Sequence, residues 1–282
     1  MTFLDRPTLV MGARGSVGRL VLDGLIARGV PVRASVRRPE PGQLPDQVDV
    51  HAADLADPHS LTAAFAGVRQ VFLYAHEGVP GVVEAARSTG VERIVLMSSG
   101  SVIHPSSTGN LITEEHRAIE QAFAAAADDL TVVPIRPLVL ATNSLGWAYP
   151  IRSGQAVALY QPDALTAPIH ELDIAAVAVA ALLGDDDTTG LLTGPERLSQ
   201  RDQVGAIATA LDREVAVETL TRDAARAHYA QFMADDEAEA VLQFLDDAAA
   251  GHSPATDAVE RVLGRAATGF DVWAREHAAD FS

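Results

Sequence analysis

Apolar and polar positions in the first half of the chain follow two alternating periods. Short apolar runs at Thr8–Met11, Val32–Val36, Val48–His51, Gln70–Tyr74, Arg93–Ser98 and Thr131–Arg136 have the length and branched side chains of buried strands. Between them, Ser16–Arg28, Pro58–Ala66, Val79–Thr89 and Thr113–Ala127 repeat apolar residues at helical spacing. Strands alternating with helices predict an α/β fold built on a doubly wound parallel sheet with right-handed crossovers. In such sheets ligands sit beyond the carboxyl ends of the strands. The loops after Met11, Val36, Tyr74, Ser98 and Arg136 therefore face the expected cleft.

The pattern loosens after Pro137. Residues 138–170 mix aromatics, prolines and glycines with little periodicity, as a loop-rich substrate region would. Leu172–Leu183 then reads as a helix, Leu191–Thr193 as a short strand, Gln200–Leu211 as a helix and Glu214–Thr219 as extended chain. From Arg222 onward the chain reads as helices, broken near Gly251–Pro254 and at Gly269. Asp235–Asp247 carries six acids and no base, the pattern of a solvated helix face.

The segment T-L-V-M-G-A-R-G-S-V-G-R joins the first strand to the first helix, with glycines at Gly12, Gly15 and Gly18. Gly12 permits a tight turn off the strand, Gly15 lets backbone approach a pyrophosphate, and Gly18 allows close packing of the helix. The helix start, at Ser16 and Val17, offers unpaired N–H groups and a positive dipole to phosphate. A glycine triad alone is weak evidence; one placed between a strand and a helix at the head of a βαβ series predicts a dinucleotide site. The second strand ends V-R-A-S-V-R-R-P, where an NAD site places an acid for the ribose 2′-hydroxyl. Here stand Arg37 and Arg38, with Arg14 inside the glycine loop. Guanidinium groups suit a 2′-phosphate, so NADP(H) is expected in preference to NAD(H). Asp54 and Leu55 after the third strand would flank the adenine, although Asp54 equally suits a helix cap. Tyr74, Ala75 and His76 after the fourth, with Ser98 and Pro137, would line the inner ribose and nicotinamide.

Composition narrows the chemistry. The chain has 282 residues, no cysteine and a net charge of −17. Disulfides, thiolate metal sites and cysteine nucleophiles are excluded. All 21 basic residues are arginine, which excludes a Schiff base, a Walker lysine and a lysine general acid or base. Such acidity without a segregated basic face argues against nucleic acid. The chain enters a strand almost at once and holds no apolar run of the roughly 20 residues that a membrane span needs. A cytoplasmic location without membrane attachment is expected. No H-x-x-x-H or H-E-x-x-H spacing occurs, so no metal is expected, and no G-x-S-x-G elbow marks a hydrolase.

These features resemble the NmrA-like group of atypical short-chain dehydrogenase/reductases. The likeness runs from the glycine loop through H-A-A-D-L-A-D, V-E-R-I-V-L-M-S-S, E-E-H-R-A-I-E-Q-A-F and V-V-P-I-R-P to H-E-L-D-I-A-A-V-A-V-A-A-L and L-T-G-P-E-R-L-S. The resemblance implies an NADP(H)-binding Rossmann domain over residues 1–137, its sheet completed by segments within 166–195. A smaller substrate lobe with C-terminal helices would occupy 138–282. Catalytic members of the superfamily carry a Tyr-x-x-x-Lys pair beside a serine. Aligning Glu120 with the glutamate that often follows the lysine puts His116 at the lysine position and Ile112 at the tyrosine position, so the pair is missing. Ser98 or Ser99 stands where the family serine lies.

His116 and Ser99 are thus the catalytic candidates, His116 as a general acid or as a partner of the ribose. Glu114 and Glu115 precede it as first-turn acids of the helix. His104, Asn143, Trp147 and Tyr149, with Tyr160, are candidates for lining a small planar substrate. The expected activity is NADP(H)-dependent oxidoreduction of a quinone- or enone-like molecule, which accepts hydride without a strongly acidic tyrosine. A sensor that binds NADP(H) without turning it over, and a lyase or isomerase on the same fold, are the alternatives. A homo-oligomer stays open.

Overall fold

The computed structural model describes residues 6–75, 77–126, 130–185 and 187–282. The chain begins β1 (Thr8–Met11), α1 (Ser16–Ile26), β2 (Val32–Val36), β3 (Asp49–Ala52), α2 (Pro58–Phe65), β4 (Gln70–Tyr74), α3 (Val79–Thr89) and β5 (Arg93–Met97). It continues with α4 (Leu111–Ala125), β6 (Thr131–Pro137), α5 (Ala148–Arg152), β7 (Val157–Leu159), β8 (Leu165–Thr166) and α6 (Glu171–Leu182). The last stretch holds β9 (Leu191–Leu192), β10 (Leu198–Ser199), α7 (Gln200–Ala210) and β11 (Val217–Thr219). Helices α8 (Arg222–Tyr229), α9 (Asp235–Ala249), α10 (Ala258–Leu263) and α11 (Phe270–Glu276) complete it. Two compact units result, one of residues 1–99, 115–136 and 171–190, the other of 100–114, 137–170 and 191–282.

In the first unit the strands pair in the order β3-β2-β1-β4-β5-β6, with every pair parallel. This is the doubly wound α/β sheet that the sequence predicts. Successive strand residues face opposite ways, so Leu9 and Met11, Val71 and Leu73, Ile94 and Leu96 share one face. Leu61 and Phe65 of α2, Val82 and Val83 of α3 and Phe123 of α4 cover that face, all buried. Helices α1 and α6 pack on each other where Gly24 faces Val179; a Cβ at Gly24 would stand 3.2 Å from the valine methyl. Helix α6 buries Ile174, Val177, Ala178, Ala181 and Leu182, which leaves it no polar stripe.

Element ends shift by one or two residues from the expected ones. β3 starts at Asp49, and α4 starts at Leu111 because Asn110 stands before it, its carbonyl accepting from the Glu114 N–H at 2.9 Å. The expected end of that helix at Ala127 lies outside the described residues.

The second unit holds more regular structure than its aperiodic sequence suggests. Ala141–Trp147 winds as a 3₁₀ segment ahead of α5; β7 pairs in parallel with β11, and β8 antiparallel with β10. Trp273 anchors its core, stacked on Phe270 at 5.0 Å and edge-on to Phe281, with Ile151, Leu159, Val204 and Ile207 around them. The acidic run on α9 is not only a solvated face. Glu239 and Asp246, two turns apart on one side, both pair with Arg222, and Asp246 accepts from the Tyr160 hydroxyl at 2.6 Å. Among the described residues no helix is long and apolar enough to cross a membrane.

Candidate cofactor site

The loop between β1 and α1 turns at Gly12, whose φ of +65° favours glycine. The Gly15 N–H donates back to the Gly12 carbonyl at 2.9 Å, which closes the turn. Gly18 presses against the same carbonyl: a Cβ there would lie 2.3 Å from the Gly12 oxygen. The contact that requires glycine at 18 is therefore with the phosphate loop itself. No side chain caps α1 and no acid occupies its first turn, so its N–H groups and positive dipole face outward without a competing carboxylate. Ser16 is exposed, while Val17 buries its side chain and has only backbone to offer. These features fit a bound pyrophosphate.

Arg14, Arg37 and Arg38 are exposed at the ends of β1 and β2. Arg14 donates to Gln43 at 2.7 Å. Asp54 does not cap α2; its Oδ1 accepts from the Ala56 N–H at 3.0 Å, and Asp57 caps the helix by accepting from the His59 N–H. Leu55 is half-buried against the core, and its carbonyl is pressed by Gly78, where a Cβ would lie 2.2 Å away. Gly78 has a φ of +71° and no sequence motif marked it; the left-handed turn before α3 explains it.

At the end of β4, Tyr74 is 51% exposed, and its ring centre lies 6.2 Å from that of His116. Partial burial, and then the charge of Glu115, push its phenol pKa upward, so it stays protonated at neutral pH. Ala75 is buried in the core, and His76 lies outside the described residues.

After β5, the Ser98 hydroxyl donates to Glu120 at 2.6 Å. Arg136 grips the same carboxylate through two N–H groups, at 2.9 and 2.6 Å, and donates a third to the Thr189 carbonyl at 3.0 Å. This largely buried clamp joins β5, α4 and β6. It turns the Ser98 hydroxyl toward α4, and Ser99 is the half-buried neighbour that follows. From the sequence Ser98 was a cofactor-lining candidate and Glu120 only a marker of alignment; the pairing of Glu120 with Arg136 spans two elements and leaves no local signal.

The other candidates belong to the second unit. Pro137 is buried at the end of β6. His104 has both ring nitrogens engaged, Nε2 with the His252 carbonyl at 2.7 Å and Nδ1 with the Ser106 hydroxyl at 2.9 Å, which fixes the Nε2–H tautomer. Trp147 packs on the Trp273 core, and Tyr160 is committed to Asp246. Asn143 and Tyr149 are exposed. Glu114 accepts from the Gly109 N–H at 2.9 Å, a role in holding the start of α4.

A family described as NAD(P)H-binding matches residues 12–185. The chain belongs to that family. The NAD(P)H binding that its motifs implied is borne out by this match. The chain is 34% identical to a (4-alkanoyl-5-oxo-2,5-dihydrofuran-3-yl)methyl phosphate reductase of Streptomyces griseus, over 97% of this chain and 99% of that protein. It is 29% identical to an NAD(P)H azoreductase of Xenophilus azovorans, over 97% and 98%. Its fold matches that of an NADPH-dependent quinone oxidoreductase from Escherichia coli in complex with NADPH, with a TM-score of 0.79 at 20% identity, covering 95% of this chain and 99% of that one. The chain is an NAD(P)H-dependent oxidoreductase.

Proposed function

We propose that this chain is an NADPH-dependent reductase of a small conjugated electrophile, an unsaturated lactone, enone or quinone. The observation that carries the proposal is its full-length likeness to a reductase whose named substrate is an oxo-dihydrofuran bearing an alkanoyl group. In that compound the ring alkene is flanked by carbonyls, so charge developing on reduction delocalises onto oxygen. The quinone in the name of one structural neighbour shares this property, and the azo group in the name of another relative takes the developing charge on nitrogen instead. Such an acceptor does not require the tyrosine–lysine pair that this lysine-free chain lacks.

The cofactor, when bound, supplies a hydride. Gly12 to Gly18 and the start of α1 hold its pyrophosphate, and Arg14, Arg37 and Arg38 hold the 2′-phosphate. Asp54 and Leu55 flank the adenine, while Tyr74 and Ala75 border the inner ribose. His116 hydrogen-bonds that ribose and holds the proton the product needs, and Ser99 orients the substrate oxygen. Asn143 and Tyr149 are the favoured substrate contacts of the second unit. The partner is a small molecule; a net charge of −17 disfavours nucleic acid.

The test is NADPH oxidation against a panel of unsaturated lactones, enones, quinones and azo dyes, with product analysis. We expect reduction of the conjugated bond, and a His116→Ala variant slowed by roughly 10²–10⁴-fold with little change in NADPH affinity. Tight NADPH binding without turnover of any acceptor would remove the proposed substrate class.

A further inference from the structure

Arg14 leaves the glycine loop with one guanidinium N–H donated to Oε1 of Gln43, 2.7 Å away. The Gln43 amide nitrogen donates in turn to the carboxylate of Glu40. A guanidinium only donates and an ionised carboxylate only accepts, so the amide between them has a single orientation. Gln43 and Glu40 lie in the loop between β2 and β3, which begins with Arg37 and Arg38. Pro39, Pro41 and Pro45 stiffen this loop, and Gly42 turns it with a φ of +78°. The relay thus ties the loop carrying two exposed arginines to the loop carrying the third.

We propose that Gln43 is a positioning residue that selects the 2′-phosphorylated cofactor: it aims Arg14 while keeping the Glu40 carboxylate one amide away from it. The proposal rests on the NADPH preference argued above. Direct pairing of Glu40 with Arg14 would cancel the cationic charge a phosphate requires and place a negative charge beside it. The neutral amide fixes the guanidinium and leaves its charge in place. A residue acting only on loop stability would affect phosphorylated and unphosphorylated cofactors alike, whereas one acting through Arg14 separates them.

Calorimetry with NADPH, NADH and the adenine-end fragments 2′,5′-ADP and 5′-AMP tests this on the wild type, Gln43→Ala and Gln43→Glu. All three are first checked for equal melting. The Gln43→Glu change is isosteric and pairs a carboxylate directly with Arg14. It is expected to weaken NADPH and 2′,5′-ADP on the order of 10-fold or more, with NADH and 5′-AMP within about twofold. Gln43→Ala, which frees Arg14 without opposing it, is expected to weaken the phosphorylated pair about threefold. Equal affinity of the wild type for NADPH and NADH overturns both the cofactor preference and the role of Gln43. A wild-type preference for NADPH that Gln43→Glu leaves intact overturns the role of Gln43 alone.

Discussion

In the cofactor-binding unit helices α2 and α3 bury their apolar faces on strands that lie next to them in the chain, as Leu61 and Phe65 of α2 do beside β4. Only α6 comes from far along the sequence, to pack on α1. In the second unit Trp273 and Phe270 of α11 meet Val204 and Ile207 of α7, Leu159 of β7 and Ile151 of α5, partners drawn from distant segments. The polar contacts differ in the same way. The first unit seals its sheet with one largely buried clamp, Glu120 with Arg136, on adjacent elements. The second spreads its charges over Arg222, Glu239 and Asp246 of α8 and α9, which remain partly in water, with the buried Tyr160 at β7's end donating to Asp246. A sheet assembled from βα repeats concentrates its stability in short-range packing, whereas a lobe of short elements depends on a few convergent side chains.

Removing a convergent side chain tests that contrast hardest. Trp273 is fully buried and touched by Phe270, His277 and Phe281. Trp273→Ala should cost about 3–5 kcal/mol, because the void cannot be refilled from the short elements around it. Denaturant unfolding of the full chain measures this. A loss below about 1.5 kcal/mol, typical of a well-tolerated core swap, would show that the lobe does not hinge on that ring.

The counterpart in the first unit is Glu120→Ala, which leaves Arg136 without its carboxylate and Ser98 without its acceptor. Stranding a largely buried cation costs about 3 kcal/mol or somewhat more. A Glu120→Gln variant keeps one acceptor oxygen and should recover part of the loss. Equal damage from both variants would mean that shape, and not charge, holds β5, α4 and β6 together.

How much of this was legible beforehand follows the same division. Strands β1 to β6 and helices α1 to α4 could be read because unbroken apolar runs of strand length and an apolar period near four recur there within single elements. The glycine loop was legible because its three glycines serve one local turn, even though the partner of Gly18 proved to be the Gly12 carbonyl. Strands β7 and β8 were not, because two or three residues cannot display a period, and the seven residues of the 3₁₀ segment at Ala141–Trp147 carry no apolar repeat. The candidates His104, Trp147 and Tyr160 were chosen by position along the chain, and each is engaged by a residue of its own unit that no spacing could announce. Gly194 shows the same limit: a Cβ there would lie 2.1 Å from the Pro168 carbonyl, a close approach between segments far apart in sequence.

A third prediction asks whether the arginines after β2 act as the local pattern suggests. Replacing Arg37 and Arg38 together with alanine removes two exposed guanidinium groups and no core contact. NADPH affinity should fall roughly 10- to 100-fold, as expected for lost charge-assisted hydrogen bonds, while NADH affinity changes little. Isothermal titration of both cofactors decides it. A parallel loss for both would assign the pair to loop structure and leave Arg14 as the phosphate contact.

The smallest expected effect concerns the dispersed charges of the second unit, and its sign can be worked out. The bond from Arg222 holds Glu239 below the usual carboxylate range. Burial pushes Asp246 upward, but the hydrogen bonds from Tyr160 and Arg222 outweigh it and leave that carboxyl lowered too. Groups lowered in the folded state stabilise it above their ordinary value of about 4 and lose that contribution as pH falls through the depressed values. The side chains of Arg222 and Asp246 are each 39% exposed and that of Glu239 is 31% exposed, so solvent screens the pairs. Arg222→Ala should therefore cost only about 0.5–1 kcal/mol near neutral pH. The gap between wild type and variant should stay constant above about pH 5 and close toward pH 3, because protonated carboxyls no longer distinguish the two proteins. Thermal melts across that window supply the measurement. Two parallel profiles would show that Arg222 acts by packing its alkyl stem against α9, and the contrast between a clamped sheet and a charge-tied lobe would then rest on Trp273 alone.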